Sequence, residues 1–495
     1  MKMTVEETLY GISCFGHDAG LAVVRGQRIL FAAHAERYSG LKNDPLLNEA
    51  LVLDALRTAG PPDRIVFHER PWRTRLRHLR SGRLREFLTG PSPLDHIRSF
   101  EMLADVPLVT VGHHQSHAAG GFFTAPFDDA AVVVADGIGE WDTLSVWHGR
   151  NNRLKRLFVQ RYPHSLGLFY SAFTQRCGLK PNEEEFILMA MAALGQPRHR
   201  ELILREIVRS TLPPHFRLRR NMHRGLGGWH PELTEPETLA ASVQEIAEEV
   251  LLGLMAWVAK RVPSRNLVFS GGFALNCVAN ERMVRSGLFD RLWIMPNPGD
   301  AGNALGAALA HGARPVRWEG PYLGYDLNRD PDLDGVVATL LTDGMAGLAH
   351  GRAEFGPRAL GNRSLLADPR GQSVKDRVNE IKRREPFRPF APVVLAERVA
   401  EFFDLPLPSS PYMQITGRCL YPHLFPAICH VDGSSRVQTV DHAQNPTLYR
   451  LLKRFQERTG CPMLLNTSLN IKGKPMVNDG ADAQTFQRET GVTVF

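Results

Sequence analysis

The run His113-His114-Gln115-Ser116-His117 concentrates three metal-ligating side chains in five positions. On a helix, positions four apart share a face, so His113 and His117 bring two imidazoles within reach of one ion. No glutamate follows His113, so this is not the zinc-protease motif. Asp136 closes the apolar run Ala130–Ala135 and opens into Gly137-Ile138-Gly139. A strand-end carboxylate at a glycine turn is where metal and phosphate sites sit in α/β folds, although a turn aspartate alone explains it equally well. Asp300, in Pro298-Gly299-Asp300-Ala301-Gly302-Asn303, precedes a helix of small residues and is a candidate fourth ligand. Gly271-Gly272 follow the strand-like Asn266–Ser270, where glycine permits either close backbone approach to a nucleotide or a tight turn.

The C-terminal part carries cations instead. Arg352, Arg358 and Arg363 lie in Gly351–Asp368, and Lys382, Arg383, Arg384 and Arg388 in Lys382–Pro389. Arg436 and the cluster Asn466-Thr467-Ser468-Leu469-Asn470 come later. Proline and glycine interrupt these cations, so they do not form one solvated helical face. Arginine and lysine converging on rigid turns suit a phosphorylated or carboxylated small molecule.

The elements that must position these groups follow from periodicity. Leu9–Phe15, Leu21–Val24 and Ile29–Ala33 read as strands, as do Arg64–His68 and Leu108–Val111. His113–Phe123 reads as a helix. Ala130–Asp136, Thr143–His148 and Leu157–Arg161 repeat the strand–turn–strand pattern, and helix Glu235–Arg261 feeds strand Asn266–Ser270. Two such units predict an α/β core with internal duplication. Leu292–Met295 and a helix over Ala301–His311 follow, and the Pro/Gly/Asp-rich stretch Pro315–Asp334 reads as a linker. The length of 495 residues calls for two or three domains. No apolar run approaches a bilayer span, and the start Met-Lys-Met-Thr-Val-Glu-Glu lacks the apolar stretch of a signal peptide. The six cysteines are scattered, which fits buried residues in a reducing cytoplasm.

The stretches His113–Ala119, Asp136–Gly139, Ser165–Thr174, Gly271–Asn276, Gly299–Ala308, Glu354–Arg363, Lys382–Pro392, His430–Val440 and Asn466–Asn470 resemble the O-carbamoyltransferases of nodulation-factor and antibiotic biosynthesis. The resemblance implies an actin-like (ASKHA) domain over 1–330, similar to the tRNA threonylcarbamoyl transferase, and a YrdC-like α/β domain over 331–495. It implies that the second domain makes carbamoyl adenylate from carbamoyl phosphate and ATP, with Mg(II). The first then passes the carbamoyl group to a hydroxyl beside a divalent metal, typically Fe(II). By the same resemblance His113, His117, Asp136 and Asp300 are the metal ligands. His17 is a candidate general base, with Lys42 beside it. Gly137, Gly271, Gly272 and Asn276 line the nucleotide, and Arg358, Lys382, Arg388, Arg436, Ser468 and Asn470 hold carbamoyl phosphate and ATP. The sequence departs from the family pattern at Ala33-His34-Ala35-Glu36-Arg37 and at Ile187, where a lysine is expected.

For the acceptor, the formal net charge of +7 is the main clue. Arg70, Arg73, Arg75, Arg77, Arg80, Arg83 and Arg85 lie beside Trp72 with no acid among Arg70–Arg85, and Arg217, Arg219, Arg220 and Arg224 form a second group. Arginine interleaved with aromatic residues suits a nucleic-acid backbone and an extruded base, and equally a solvated helix face. The family default is a sugar or natural-product hydroxyl. The alternative is 5-hydroxymethylcytosine in DNA, read through Arg73, Arg77, Arg80, Arg217 and Arg220. A tRNA threonylcarbamoyl-type enzyme is a more remote reading. No membrane partner is expected, and self-association into a homodimer stays open.

Overall fold

The computed structural model describes residues 6–80 and 84–495; Arg83 of the basic run lies outside them. Strands β1 (Thr8–Ser13), β2 (Gly20–Arg25), β3 (Arg28–His34), β4 (Arg64–Phe67) and β5 (Leu108–Thr110) form a sheet of order β3-β2-β1-β4-β5. The first three run antiparallel, and β4 and β5 continue parallel to β1. A second sheet repeats this plan. It contains β6 (Asp129–Gly139), β7 (Asp142–Arg150) and β8 (Arg153–Arg161). After the small pair β9 (Val208–Ser210) and β10 (Arg217–Leu218), it is completed by β11 (Asn266–Ser270) and β12 (Arg291–Trp293), in the order β12-β11-β6-β7-β8. Both sheets are antiparallel meanders extended by parallel strands from their first member. This duplicated arrangement is the actin-like plan, as the repeated strand–turn–strand pattern predicts.

Two helices fill the layer between the sheets, His113–Phe123 and Asn303–Gly312. They lie close because glycine faces glycine: a Cβ on Gly306 would stand 2.1 Å from the Ser116 carbonyl oxygen, and one on Gly120 would stand 3.2 Å from Gly306 Cα. Larger residues at either position would separate the helices. The small-residue pattern therefore fixes the distance between the histidines of the first helix and the acid at the head of the second.

The C-terminal part holds a separate core. The stretch read as a linker contains β13 (Tyr322–Asp326), so 315–334 is not irregular throughout. Its low apolar content hid a short edge strand. Then come β14 (Met345–Ala349), β15 (Arg352–Glu354), β16 (Arg363–Ala367) and β17 (Ala391–Leu395). They are followed by β18 (Phe403–Asp404), β19 (Thr416–Cys419), β20 (Ser434–Arg436), β21 (Gln438–Val440) and β22 (Met463–Ser468). The main sheet has the order β14-β16-β22-β17-β21, and helices Leu333–Asp343 and Pro446–Thr459 bury their apolar faces in its core. β13 pairs with β15, and β18, β19 and β20 form a side sheet. No described helix is long and apolar enough to cross a membrane.

Candidate active site

The helix His113–Phe123 starts at the predicted residue and turns His113 and His117 to one side, with their Nε2 atoms 3.1 Å apart. Asp136 stands where the β6–β7 pairing shifts register between Ala135 and Gly139, which frees its side chain from the ladder. Its Oδ1 accepts from the Gly272 amide at 3.1 Å, and its Oδ2 lies 3.3 Å from His113 Nε2 and 3.9 Å from His117 Nε2. Asp300 opens the single-turn helix Asp300–Gly302, with Oδ1 at 3.3 Å from His113 Nε2 and 3.4 Å from His117 Nε2. The four ligand atoms lie within 4.8 Å of one another.

These spacings can be tested against a metal. Bonds of about 2.1 Å in a tetrahedral site put neighbouring ligand atoms about 3.4 Å apart. Two imidazole nitrogens and two carboxylate oxygens form a donor set for a divalent transition ion. Asp300 Oδ1 is buried without a hydrogen-bond partner, which a bound cation would satisfy. The residues therefore fit the metal that the family resemblance implies. Burial works against a charged His113, but Asp300 and Asp136 outweigh it and hold its pKa well above the usual histidine value. Burial and the Asp300 charge would raise Asp136, yet the histidines keep it below the ordinary carboxylate range. Asp300 is likewise held well below that range by His113 and His117, against its burial.

Two neighbours were not singled out from sequence. Asn303 Nδ2 lies 2.9 Å from His117 Nε2 and 3.4 Å from His113 Nε2; it sits within the Gly299–Ala308 motif but carries no charge to mark it. Glu69 Oε2 lies 3.8 Å from His113 Nδ1, too far for a hydrogen bond but close enough for the two charges to act on each other. Nothing in the local sequence around Glu69 signals this.

His17 lies beside Asp18, with Nδ1 to Oδ1 at 3.4 Å and Nε2 unpartnered. Burial lowers its pKa, but the Asp18 hydrogen bond and charge, with Asp300 adding to them, raise it to about 9. Lys42 is half exposed and neutralises buried Glu36, at 2.7 and 2.9 Å. Gly271 needs glycine: its φ is +90°, and a Cβ would meet the Ala135 carbonyl oxygen at 2.2 Å. Gly137 leaves open space around its Cα. Asn276 caps the helix Cys277–Arg285 and exchanges hydrogen bonds with Gln244 at 3.0 and 3.1 Å, so its side chain is committed inside the protein. Ile187, where the family pattern has a lysine, is buried.

The C-terminal cations converge as expected. Lys382 Nζ donates to the Ser468 carbonyl at 2.6 Å, the Ser468 hydroxyl at 3.0 Å and Asn470 Oδ1 at 2.5 Å. Burial, then the charges of Arg384 and Arg388, push its pKa well below the ordinary lysine value. Burial with Arg436 and Arg388 nearby brings Arg358 down to about 9, and burial with Arg388 and Arg436 brings Arg384 to about 8. Arginine does not lose its proton in proteins, so these shifts record first the cost of burying the cations and then their mutual repulsion. Glu385, which pairs with Arg388 at 3.0 Å, offsets only part of it. Arg384, given no role above, belongs to this cluster and stacks on Phe390 at 3.6 Å. Arg363 does not belong: it is fully buried and donates to the carbonyls of His350, Gly351, Asn362, Tyr325 and Asn478. Arg352 similarly holds the Leu30 and Leu323 carbonyls.

The family models for the carbamoyltransferase N-terminus and C-terminus match residues 96–309 and 337–495. The 3'-hydroxymethylcephem-O-carbamoyltransferase of Amycolatopsis lactamdurans is 30% identical over 97% of this chain and 96% of its own length. The chain belongs to the carbamoyltransferase family. Nodulation protein NolNO of Sinorhizobium fredii is 31% identical over 95% of this chain and 76% of its own, and an uncharacterized protein of Synechocystis is 38% identical over 96% and 93%. Among solved structures, full-length HypF in its phosphate- and nucleotide-bound form is similar at 12% identity and a TM-score of 0.36, over 63% of this chain and 56% of that one. At that score the likeness adds nothing to the topology already described. Membership makes this protein an enzyme that transfers carbamoyl groups.

Part of the charge on the basic helix Pro71–Arg80 is engaged within the protein. Arg73 Nη1 pairs with buried Glu140 at 2.7 Å, Arg77 opposes part of the rise that burial gives the Glu69 pKa, and Arg80 stacks over Trp141 at 5.5 Å. Arg73 thus balances a buried acid that lies beside the helix carrying His113, while Arg75 and Arg80 remain exposed. Arg217 and Arg220 stand exposed on and beside β10.

Proposed function

We propose that this carbamoyltransferase is ATP-dependent and acts on a small-molecule hydroxyl. Residues 331–495 convert carbamoyl phosphate, ATP and one water into carbamoyl adenylate, pyrophosphate and phosphate, the water releasing phosphate from carbamoyl phosphate before the carbamate oxygen displaces pyrophosphate from ATP. Residues 1–330 transfer the carbamoyl group to the hydroxyl and release AMP. The observation that carries the reading is the buried cluster of Arg358, Lys382, Arg384, Arg388 and Arg436, which has too few carboxylates to neutralise it and suits a multiply charged phosphate ligand. The named cephem relative supports a hydroxyl acceptor.

In this reading Lys382, Arg388 and Arg436 bind the phosphate groups, while Ser468 and Asn470 orient the Lys382 ammonium. A divalent ion held by His113, His117, Asp136 and Asp300, iron by family resemblance, would supply Lewis-acid polarisation of the carbamoyl oxygen. His17 Nε2, free of partners, takes the hydroxyl proton from the deprotonated fraction of the enzyme. Making the adenylate in one site and consuming it in another keeps water from a labile mixed anhydride.

The test is incubation with radiolabelled carbamoyl phosphate, ATP and 3'-hydroxymethylcephem or sugar acceptors. Pyrophosphate release that depends on carbamoyl phosphate and vanishes in Arg388→Ala is the expected result. Release that continues at the normal rate in that variant places activation elsewhere.

A further inference from the structure

A cavity of about 300 Å³ lies on the outer side of His113, lined by Arg70, Arg73, Gly112, His113, His114, Gln115, Glu140, Asp142, Trp147 and Arg156. It opens onto the first turn of the helix His113–Phe123. Gly112, the residue before that helix, offers no side-chain cap. The amides of His113, His114 and Gln115 have no acceptor among the described residues. Such a turn presents free N–H groups and the positive end of the helix dipole.

Three further observations point to a ligand. The lining holds three arginines against two carboxylates, and two of the arginines are spent: Arg73 on Glu140 at 2.7 Å, Arg156 on Asp142 at 3.4 Å. The Arg70 guanidinium has no carboxylate partner among the described residues, and it leans over the helix start, 3.3 Å from where a Gly112 Cβ would stand. His114 is 3% exposed, and its Nε2 has no hydrogen-bond partner. Trp147 Nε1 donates to Ser145 Oγ at 2.9 Å, and that hydroxyl lies 2.8 Å from His114 Nδ1. The Ser145 hydroxyl thus engages Trp147 and His114 Nδ1, and His114, a lining residue, keeps its buried Nε2 without a partner.

We infer that this cavity is an oxyanion subsite, built from Arg70, the amides of His113–Gln115 and His114, for a carboxylate or phosphate group carried by the acceptor. It lies one helical turn from His117 and shares His113 with the metal-type cluster, so an acceptor anchored there reaches the transfer site. The site itself stands on its own geometry; assigning its ligand to the acceptor rests on the carbamoyl-transfer reading.

Crystals of the whole enzyme, grown without sulfate or phosphate and soaked in selenate, test the site by anomalous scattering. Selenate is expected at Gly112–Gln115 beside Arg70 and also in the Lys382–Arg388–Arg436 cluster. Arg70→Gln should empty the first site alone and Arg388→Ala the second alone. No selenate at Gly112 in the wild type, or undiminished selenate there in Arg70→Gln, overturns the subsite. Kinetics with a hydroxymethylcephem free acid and its methyl ester test the ligand. Arg70→Gln should raise KM for the acid by at least about tenfold, the effect of losing one charge-assisted hydrogen bond, and leave the ester unchanged. Equal effects on both, or none on either, overturn the assignment to the acceptor. If neither compound is carbamoylated, the assignment of the subsite to a hydroxymethylcephem acceptor fails, and the selenate sites still decide the subsite.

Discussion

Replacing Lys382 with methionine should separate function from stability. The ammonium is 6% exposed and makes three contacts, all to neutral acceptors on Ser468 and Asn470. A carboxylate of the same loop, Glu385, is held by Arg388 at 3.0 Å and Lys472 at 2.5 Å. A dianion entering this cluster gains a charge-assisted hydrogen bond from Lys382 worth roughly 1.5–3 kcal/mol, which is about 10–150-fold in affinity. The expected result is a KM for carbamoyl phosphate raised by that factor, measured as pyrophosphate release. Folding stability should barely move. Methionine removes a buried charge but leaves the Ser468 carbonyl without its donor, while Asn470 Oδ1 keeps the Ser468 hydroxyl at 2.7 Å; these opposing effects are each on the order of 1–3 kcal/mol. The pH dependence has a definite sign. The folded-state pKa of Lys382 is depressed, so the unfolded chain binds more protons between that value and about 10.4, and wild-type stability rises with pH across this window. The stability of Lys382→Met relative to the wild type should therefore be greatest at low pH and fall as pH rises. An unchanged KM at normal thermal stability would refute the assignment of Lys382 to the phosphate ligand.

His117→Ala should reduce bound divalent metal, measured by plasma emission, to about a tenth or less, because one of four ligands is gone; pyrophosphate release should stay within about twofold. Retained metal would remove His117 from the ligand set. If His17 is the base, transfer should rise with pH toward about 9, and Asp18→Asn should move that limb to lower pH by removing the hydrogen bond and charge that raise His17; a limb that stays in place assigns it to another group. Arg73→Ala should cost about 3–5 kcal/mol of stability, read by denaturant unfolding, because it strands Glu140, 2% exposed, without its partner. A solvent-facing arginine that contacts nucleic acid would leave stability unchanged and flatten the salt dependence of DNA binding instead.

Much of this was readable from residue order because the signals were local. The helix over His113–Phe123 and the strand Asn266–Ser270 coincide with the sequence expectation, since each is a short run with strong periodicity or β-branched content. The Lys382–Ser468–Asn470 contact was legible only through the family motifs, because 86 residues separate Lys382 from Ser468. The arginine-rich run was only partly legible, for a physical reason. Composition shows that Arg73 is charged but not that a buried glutamate 67 positions later, in the turn between β6 and β7, pairs with it. The residues alone set Arg358 and Arg363 side by side, and the family resemblance singled out Arg358; the fold shows Arg363 spent on backbone carbonyls while Arg358 lies among cations.

The two halves meet where the chemistry would require it. Cys277, at the first turn of the helix capped by Asn276, lies against Arg436 and Arg358, and Arg388 stacks on Phe186 at 4.7 Å. The cation cluster thus draws on both the actin-like part and the C-terminal sheet. Arg37, buried beyond β3, donates to the Gly356 carbonyl at 3.0 Å. Lys42 is close enough to lower the pKa of Lys382, and Asp300 close enough to raise that of His17. A series of charged groups therefore runs from Lys382 through Lys42 and the Asp18–His17 pair to Asp300, with each step within electrostatic range. At the far end of the series His113 and His117 lower the pKa of both Asp136 and Asp300, so the two carboxylates are already partly offset by the imidazoles that share the cluster with them.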